Sequence, residues 1–278
     1  MKKINRRSFL AAAGLTAAAL ALTACGGSAS STASSTASSA ASSEAASTSA
    51  AAELTTVEAG KLTMATNAAF PPYEMTTDAG EFEGIDIDTA KAIAEKLGLE
   101  LQIDDMDFDA ALLSVQQGKA DIVMAGVTVT DERQAVMDFS DSYATGIQSI
   151  IVPEGSDITS PDDLAGKKIG TQRGTTGYIY CSDDFGDDAV VAYDDGLTAV
   201  QALKNGQVDA VVIDNAPAKE FVAANPGLVI LDTSYAEEDY AIGLAKGSAL
   251  EDAVNAALEE LKADGTLQSI VDKYITAE

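Results

Sequence analysis

A helix–turn–strand pattern that occurs twice constrains the fold of this chain more than any other feature. The segment LSVQQGKADIVMAG (residues 113–126) resembles QALKNGQVDAVVID (residues 201–214), and both contain the spacing Gly-x-x-Asp. In each copy a helix is predicted to end at the glycine, and an apolar strand follows the aspartate. The repeat favours two similar α/β lobes, although two unrelated copies of a common βα pattern would look the same.

Predicted strands and helices alternate from residue 54 to the C-terminus. Apolar side chains recur at helical spacing over residues 87–97, for example, and a strand is predicted after Gly98. The alternation predicts α/β lobes with mainly parallel sheets. Ligands of open α/β sheets lie beyond the carboxyl ends of the strands. The two repeats end there, at Ala125-Gly126 and at Asp214, so we expect these residues to face one cleft between the lobes.

Residues 1–24 predict a secretory signal peptide, with a basic start and an Ala/Leu-rich run. The run leads into LTAC (residues 22–25), which resembles the lipobox, where bacterial lipoproteins are cleaved before a cysteine that receives the lipid. Cys25 is therefore the predicted lipidated first residue of the mature protein. The alternative is an ordinary signal peptide with a chance cysteine. The adjacent Arg6 and Arg7 leave both Sec and twin-arginine export open.

Residues 25–53 predict a flexible tether. After Cys25 they are almost entirely Ser, Ala, Thr and Gly, without the apolar periodicity that a core requires. No later stretch is long and apolar enough to span a bilayer. We therefore expect an extracytoplasmic protein that is anchored to the cell membrane by its lipid alone.

The composition excludes several classes of function. The chain has 17 Lys+Arg, 44 Asp+Glu and a net charge of −27, and removal of the basic signal peptide makes it more acidic still. This charge disfavours nucleic acid as a partner. The chain has no histidine, which excludes Ser-His-Asp and Cys-His catalysis and the commonest metal ligand. Cys181 is the only thiol besides Cys25, and we expect it to be a buried apolar residue.

The segment AGVTVTDER (residues 125–133) contains the first candidate site. Thr130 is a predicted N-cap, so Arg133 would lie in the first helical turn, where the helix dipole disfavours a cation. A bound anion would explain this arginine, because a guanidinium clamps a carboxylate through two parallel hydrogen bonds. The small residues that open the segment let a ligand approach the backbone, and Thr128 adds a hydroxyl. The alternative is an ordinary surface arginine.

Other candidate residues complement Arg133. Asp214 suits an ammonium group, especially in a cleft that excludes water. Thr175 and Thr176 lie at the start of a predicted helix, where their N–H groups and hydroxyls suit the same carboxylate as Arg133. A free α-amino acid carries both charged groups on one carbon. The residues therefore predict an amino-acid site.

The chain after residue 54 closely resembles the polar amino-acid-binding proteins of ABC importers. The resemblance rests on TNAAFPPYE (66–74), GIDID (84–88), MDF (106–108), AGVTVTDER (125–133) and DFS (138–140), in that order. It implies the periplasmic-binding-protein fold, in which two α/β lobes, joined by two crossover strands, close on a ligand in the cleft between them. The first lobe would comprise residues 54–145 and 240–278, and the second residues 146–239.

The resemblance also implies a complete ligand site. Its residues would be Asn67, Phe70, Phe108, Ala125, Gly126, Thr128, Arg133, Gln172, Thr175, Thr176 and Asp214. Arg133, with Gly126 and Thr128, would bind the ligand carboxylate. Asp214 would bind the α-ammonium group, with Ala125 across from it.

The remaining residues of the implied site concern the ligand side chain. Phe70 and Phe108 match the aromatic walls of the family's site, although burial in the core is the ordinary role of a phenylalanine. Asn67 stands where several relatives have an aspartate, and Gln172 stands where glutamine binders have a lysine. Two neutral amides favour a polar neutral ligand side chain over a strongly cationic one.

We expect a monomeric receptor that delivers a free L-amino acid to the permease subunits of an ABC importer, without a cofactor, a metal or enzymatic activity. Two other classes of protein remain open. Exported dehydratases of the cyclohexadienyl and arogenate type share this fold, and they would need an acid such as Glu74 or Glu83 for water elimination. A stand-alone amino-acid sensor is the other possibility.

Overall fold

The computed structural model describes residues 54–275. The predicted signal peptide (residues 1–24), the predicted lipidation site Cys25 and the linker (residues 25–53) lie outside this range, as do residues 276–278. Within the described range, no helix has the length and apolar character needed to cross a membrane.

Strands and helices alternate along the described chain. The strands are β1 (Lys61–Thr66), β2 (Ala69–Phe70), β3 (Glu74–Thr76), β4 (Phe82–Glu83), β5 (Glu100–Asp105), β6 (Ile122–Val123), β7 (Met137–Phe139), β8 (Ala144–Pro153), β9 (Ile169–Gln172), β10 (Val190–Tyr193), β11 (Ala210–Asp214), β12 (Leu228–Ile230), β13 (Ala236–Tyr240) and β14 (Gly243–Ala245). The helices are α1 (Ile85–Leu97), α2 (Phe108–Gln116), α3 (Asp131–Gln134), α4 (Thr176–Phe185), α5 (Gly196–Lys204), α6 (Asn215–Ala224), α7 (Glu251–Ala263) and α8 (Thr266–Tyr274).

Two large sheets share one topology. The first has the strand order β5-β1-β6-β14-β7, and the second has the order β10-β9-β11-β8-β12, with β13 paired to β8. In each sheet the first three strands are parallel and the fourth is antiparallel to the third. The prediction of mainly parallel sheets was wrong, since both sheets are mixed. Strands β8 and β14 follow extended connections without the crossover helix that a parallel neighbour requires. Strands β2, β3 and β4 form a small third sheet.

The sequence repeat corresponds to a repeated substructure. Gly118 and Gly206 follow α2 and α5 with positive φ angles of 64° and 69°. Asp121 accepts a hydrogen bond from the backbone N–H of Thr63 at 2.8 Å, before β6 pairs with β1. Asp209 accepts one from the N–H of Lys168 at 2.7 Å, before β11 pairs with β9. Each aspartate thus ties its turn to the neighbouring parallel strand, β1 in the first sheet and β9 in the second.

Helices cover both faces of each large sheet. On the first sheet, α1 and α7 pack against the face that contains Met64, and α2 packs against the face that contains Val123. On the second sheet, α5 packs against Val211, and α4 buries Cys181 against Val212. Cys181 is fully buried, as predicted. Two α/β lobes, the predicted fold class, account for this arrangement: the first sheet with α1, α2, α3, α7 and α8, and the second with α4, α5 and α6.

Strands β8 and β13 join the lobes as an antiparallel pair. Their ladder runs from Ala144 opposite Tyr240 to Gln148 opposite Ala236. Tyr240 is completely buried at this crossing. A Cβ atom at Gly146 would lie 2.5 Å from the Tyr240 ring, so the crossing requires glycine at that position. The result is a pair of crossover strands that lies beside the ends of the central strands.

Candidate functional site

One cavity lies where the central parallel strands of both sheets end. β1 ends next to Asn67, β6 ends just before Ala125, and β9 and β11 end in Gln172 and Asp214. The cavity contains about 320 Å³ of atom-free space, part of it open to solvent. Its lining residues come from both lobes: Asn67, Phe70, Glu74, Phe108, Ala125, Gly126, Thr128, Arg133, Gln172, Thr175, Thr176 and Asp214. The structure therefore brings together every residue of the expected site, and it adds Glu74.

Arg133 is held at the cavity by its own helix and by contacts with both lobes. The predicted N-cap is confirmed, because the Thr130 hydroxyl accepts a hydrogen bond from the Arg133 N–H at 3.2 Å. The guanidinium donates to the Thr128 carbonyl at 2.8 Å and to the Gly174 carbonyl at 3.1 Å, and it lies 5.3 Å from the centre of the Phe108 ring. Two of its five N–H donors are used in these bonds.

The charge of Arg133 has no direct counter-ion among residues 54–275. No carboxylate of this range lies within 4.0 Å of the guanidinium, although the side chain is buried. Burial lowers the pKa of Arg133, and the negative charges of Glu238 and Asp214 oppose that shift. An arginine remains cationic under such conditions. Its remaining donors can therefore bind an anion in the cavity.

Asp214 is the buried anion of the cavity. One carboxylate oxygen accepts a hydrogen bond from the Gln148 side-chain amide at 2.8 Å. The other, Oδ1, is buried and accepts no hydrogen bond of good geometry from the described residues. Burial raises the pKa of Asp214 to about 7, and the charge of Glu238 adds to the shift. A ligand ammonium at this oxygen would favour the ionised form.

The threonine hydroxyls are engaged differently from the expectation. Thr128 and Thr176 donate to the same oxygen of Glu238, at 3.2 and 3.0 Å, and Thr175 donates to the Gln172 carbonyl at 2.8 Å. Their protons are thus used within the protein. The backbone N–H of Thr176 lies in the first turn of α4, where it has no acceptor within the helix. Backbone groups rather than hydroxyls are the donors that these positions offer to a ligand.

Gly126 was expected to help bind the ligand carboxylate, but its backbone N–H is not free to do so. Its N–H donates to the Asp86 carboxylate at 3.0 Å, so this donor is used within the protein as well. The residue has a φ of 55°, and a Cβ atom would lie 2.8 Å from the Phe70 ring. Gly126 therefore provides space beside Phe70 rather than a hydrogen bond.

Asn67 and Gln172 contact each other across the cavity. The Gln172 amide donates to the Asn67 carbonyl oxygen at 2.8 Å, and to the Asp194 carbonyl at 3.3 Å. The Asn67 amide donates to the Met106 carbonyl at 3.0 Å. Gln172 thus uses both of its amide N–H donors and Asn67 uses one of two, so this pair presents the Gln172 side-chain oxygen and one Asn67 N–H to a ligand.

Glu74 is a lining residue that sequence analysis proposed only as a possible catalytic acid. It is fully buried beside Asp86, and neither of its oxygens has a hydrogen bond of good geometry among the described residues. Burial and the charge of Asp86 raise the pKa of Glu74 well above its usual range. Burial raises the pKa of Asp86 to about 6, against hydrogen bonds from Gly126 and Tyr143. Two neighbouring buried carboxyl groups cannot both ionise easily, and the larger rise in pKa assigns the proton to Glu74. Glu83 does not line the cavity.

Comparisons with known proteins give a consistent result. The model of a family described as "Bacterial extracellular solute-binding proteins, family 3" matches residues 62–277. The chain is 32% identical over 283 residues to the "Probable histidine-binding protein" of Neisseria gonorrhoeae, covering 99% of this chain and 98% of that protein. It is 32% identical over 226 residues to the L-cystine-binding protein TcyJ of Escherichia coli (strain K12), covering 80% and 85%.

A solved structure described as "An ancestral arginine-binding protein bound to glutamine" resembles the present one. The sequence identity is 43% and the TM-score is 0.75, and the match covers 78% of this chain and 99% of that chain. The likeness thus extends over nearly all of the residues that form the two lobes.

Proposed function

Because this chain belongs to the bacterial extracellular solute-binding proteins, family 3, we propose that it is a receptor that binds one free L-α-amino acid in the cleft cavity and delivers it to an ABC importer. The observation that carries this proposal is a pair of buried, opposite charges that keep unused hydrogen-bonding atoms in one cavity. Arg133 has free donors and no direct counter-ion among the described residues, and Asp214 has a buried oxygen, near the Tyr240 hydroxyl, that accepts no hydrogen bond of good geometry from them. An α-amino acid supplies a carboxylate to the first and an ammonium to the second.

The proposed lobe boundaries follow from the crossover strands. The first lobe comprises residues 54–145 and 240–278, and the second comprises residues 146–239. The β8–β13 ladder lies at both boundaries and supports this division. Hydrogen bonds from Arg133 to Gly174 and from Gln172 to Asn67 connect the lobes on the cavity side. Ligand binding would add contacts to this same interface.

The proposed ligand has a polar neutral side chain, with arginine or lysine as the second choice. Gln172 presents an oxygen, and the neutral pair it forms with Asn67 adds no charge to the cavity. A side chain with an N–H donor for the Gln172 oxygen and an acceptor for the free Asn67 N–H, such as an amide, suits this end of the site. Relatives described as binding histidine, cystine, arginine and glutamine support a polar ligand.

The proposal for the whole protein includes its location. A lipid on Cys25 and the tether of residues 25–53 would hold a monomeric receptor outside the cell membrane, next to the permease subunits of the importer. Enzymatic activity is not part of the proposal. Glu74 carries a proton beside the cavity, as a dehydratase acid would, so turnover of prephenate or arogenate by the purified protein would contradict the binding role.

A thermal-shift screen tests the binding function. The folded part is assayed with the common L-amino acids, cystine and ornithine. A ligand at about a hundred times its Kd stabilises the folded protein by ~2.7 kcal/mol, which for a chain of this size moves Tm by roughly 5–10 °C. D-enantiomers and deamino analogues should give little shift. A sugar or dicarboxylate as the only hit would contradict the proposal, and so would the absence of any amino-acid hit.

A further inference from the structure

Glu238 is a buried carboxylate directly behind the cavity. It lies on crossover strand β13, where side chains alternate between the interior and solvent. Glu237 and Asp239 are exposed, whereas Glu238 is only 6% exposed and Tyr240 is completely buried. A charged residue is rarely buried without a specific set of partners.

The partners of Glu238 come from three parts of the site. Its Oε2 atom accepts hydrogen bonds from the Thr128 hydroxyl at 3.2 Å, the Gln148 amide at 3.0 Å and the Thr176 hydroxyl at 3.0 Å. Thr128 belongs to the first lobe, Thr176 to α4 of the second, and Gln148 to the other crossover strand. One oxygen therefore connects both lobes and both crossover strands.

These contacts reach the two charged residues of the proposed ligand site. Gln148 uses the same amide nitrogen to donate to Asp214 at 2.8 Å. The carbonyl of Thr128 accepts a hydrogen bond from Arg133 at 2.8 Å. A change in the position of Glu238 would consequently move groups in contact with Asp214 and Arg133.

We propose that Glu238 is a positioning residue of the amino-acid site, which fixes Thr128, Thr176 and Gln148 relative to Arg133 and Asp214 and sets the electrostatic field at Asp214. This inference rests on the proposed function. Glu238 acts through its neighbours, since it does not line the cavity. It also takes up both threonine hydroxyl protons, which leaves the ligand carboxylate to Arg133 and to backbone N–H groups.

The field effect gives a readout that a purely structural residue would not change. The ionisable groups near Asp214 are Glu238 and Tyr240 from β13, Glu74 from β3, Tyr73 from the turn before it, and Arg133 from α3. Burial, followed by the charge of Glu238, raises the pKa of Asp214 to about 7. Removal of the charge at Glu238 should therefore lower the pKa of Asp214.

The test measures ligand affinity by calorimetry at about pH 6 and pH 8. The probe is L-glutamine or L-arginine, whichever binds in the screen, because neither amino acid changes its charge between these pH values. With Asp214 titrating at about 7, wild-type affinity should be about tenfold weaker at the lower pH. Glu238→Gln should reduce this ratio to below about threefold. Glu238→Asp keeps the negative charge but moves the carboxylate away from Thr128, Gln148 and Thr176. It should keep the tenfold ratio of the affinities at pH 8 and pH 6 and weaken binding at both pH values. Glu237→Gln, the same substitution at the exposed neighbour, is the matched control and should behave as wild type.

A ligand-independent measurement separates this inference from the proposed function. Carboxyl ¹³C NMR, with Asp214→Asn for assignment, follows the titration of Asp214 without added amino acid. A downward shift of its pKa in Glu238→Gln, but not in Glu237→Gln, supports the role of Glu238 even if no amino acid binds. An unchanged titration, or wild-type affinity and pH ratio in Glu238→Gln, would overturn it.

Discussion

The Gln172 side-chain amide donates a hydrogen bond to the Asn67 side-chain oxygen at 2.8 Å, and this bond connects the two lobes at the rim of the cavity. Both residues are buried, and both lie at the end of a central parallel strand. The bond therefore has two consequences. It adds to the contacts that hold the lobes together, and it determines which polar atoms the side chain of a ligand meets.

Asn67→Asp should shift ligand preference toward a cation. The Gln172 donor retains an acceptor, and the added negative charge lies beside the cavity, so the affinity ratio of arginine to glutamine should rise about tenfold. Calorimetric titration with both amino acids measures this ratio. Asn205→Asp makes the same charge change at an exposed position and should leave the ratio unaltered. An unchanged ratio in Asn67→Asp would place the ligand side chain away from Asn67.

Asp214→Asn should weaken binding at least ~30-fold and yet stabilise the fold. The pKa of the Asp214 carboxyl is about 7 in the folded protein and about 3.9 in an unfolded chain, so the folded protein holds this proton more tightly. Its ionisation therefore destabilises the fold increasingly from about pH 4 to pH 7, and fully above that. At pH 8 and without ligand, the free energy of unfolding of the variant should be roughly 1–4 kcal/mol higher than that of wild type. Urea denaturation at pH 8 and pH 4 measures this gain, which should disappear at the lower pH. A variant less stable than wild type at pH 8 would contradict the assignment.

Glu74→Gln should be tolerated, whereas Asp86→Asn should not. Since Glu74 carries the proton, a neutral glutamine amide can replace it beside Asp86 without a change of charge, and stability near pH 7 should change by less than about 1 kcal/mol. Asp86 accepts from the Gly126 N–H at 3.0 Å and the Tyr143 hydroxyl at 2.8 Å. Both bonds end on Oδ2, so an asparagine that keeps them must place its NH2 group where the buried Oδ1 has no hydrogen-bond partner, at a cost of about 1–3 kcal/mol. Thermal unfolding of the two variants compares them directly, and equal losses would show that the proton is not on Glu74.

Cys25→Ala should release the protein from the membrane or leave the precursor uncut. This prediction follows from LTAC at residues 22–25. Membrane fractionation and mass spectrometry of the N-terminus measure the outcome. An unmodified wild-type N-terminus downstream of Cys25 would contradict lipid anchoring.

Local sequence patterns predicted much of this molecule. The repeat identified two equivalent helix–turn–strand units, because the helix-ending glycine of positive φ and the aspartate before the next strand lie within a few residues of each other. The Thr130 cap placed Arg133 correctly for the same reason. The position of Ala125, Gly126 and Asp214 at one cleft followed from strand ends in two similar lobes, whereas the complete set of site residues came from the family resemblance.

Contacts between distant segments were the part that the sequence did not reveal. Glu238 bonds to Thr128, Gln148 and Thr176, which lie 110, 90 and 62 positions away. The alternation along β13 places Glu238 on the same side as Tyr240, but in so acidic a chain an exposed position is the ordinary expectation for glutamate. The use of the Thr128 and Thr176 hydroxyls within the protein follows from that unexpected burial.

The most direct test of the clamp formed by Arg133 and Asp214 is a calorimetric binding cycle. It uses the amino acid found in the screen, its deamino analogue and its carboxamide, with wild type, Arg133→Ala and Asp214→Asn. Removal of one partner of a buried charge pair costs about 2–5 kcal/mol, so each variant should lose at least ~30-fold in affinity for the amino acid. Arg133→Lys should restore little, because lysine lacks the planar fork. Arg173→Ala, at a side chain that is 55% exposed, is the control and should bind normally.

The cycle also assigns each charge to its partner. Wild type should bind the deamino analogue more weakly than the amino acid, whereas Asp214→Asn should bind the two with equal affinity. Wild type should also bind the carboxamide more weakly than the amino acid, whereas Arg133→Ala should bind these two with equal affinity. Near-wild-type affinity in either variant, or an analogue penalty that neither substitution removes, would show that the amino acid binds elsewhere.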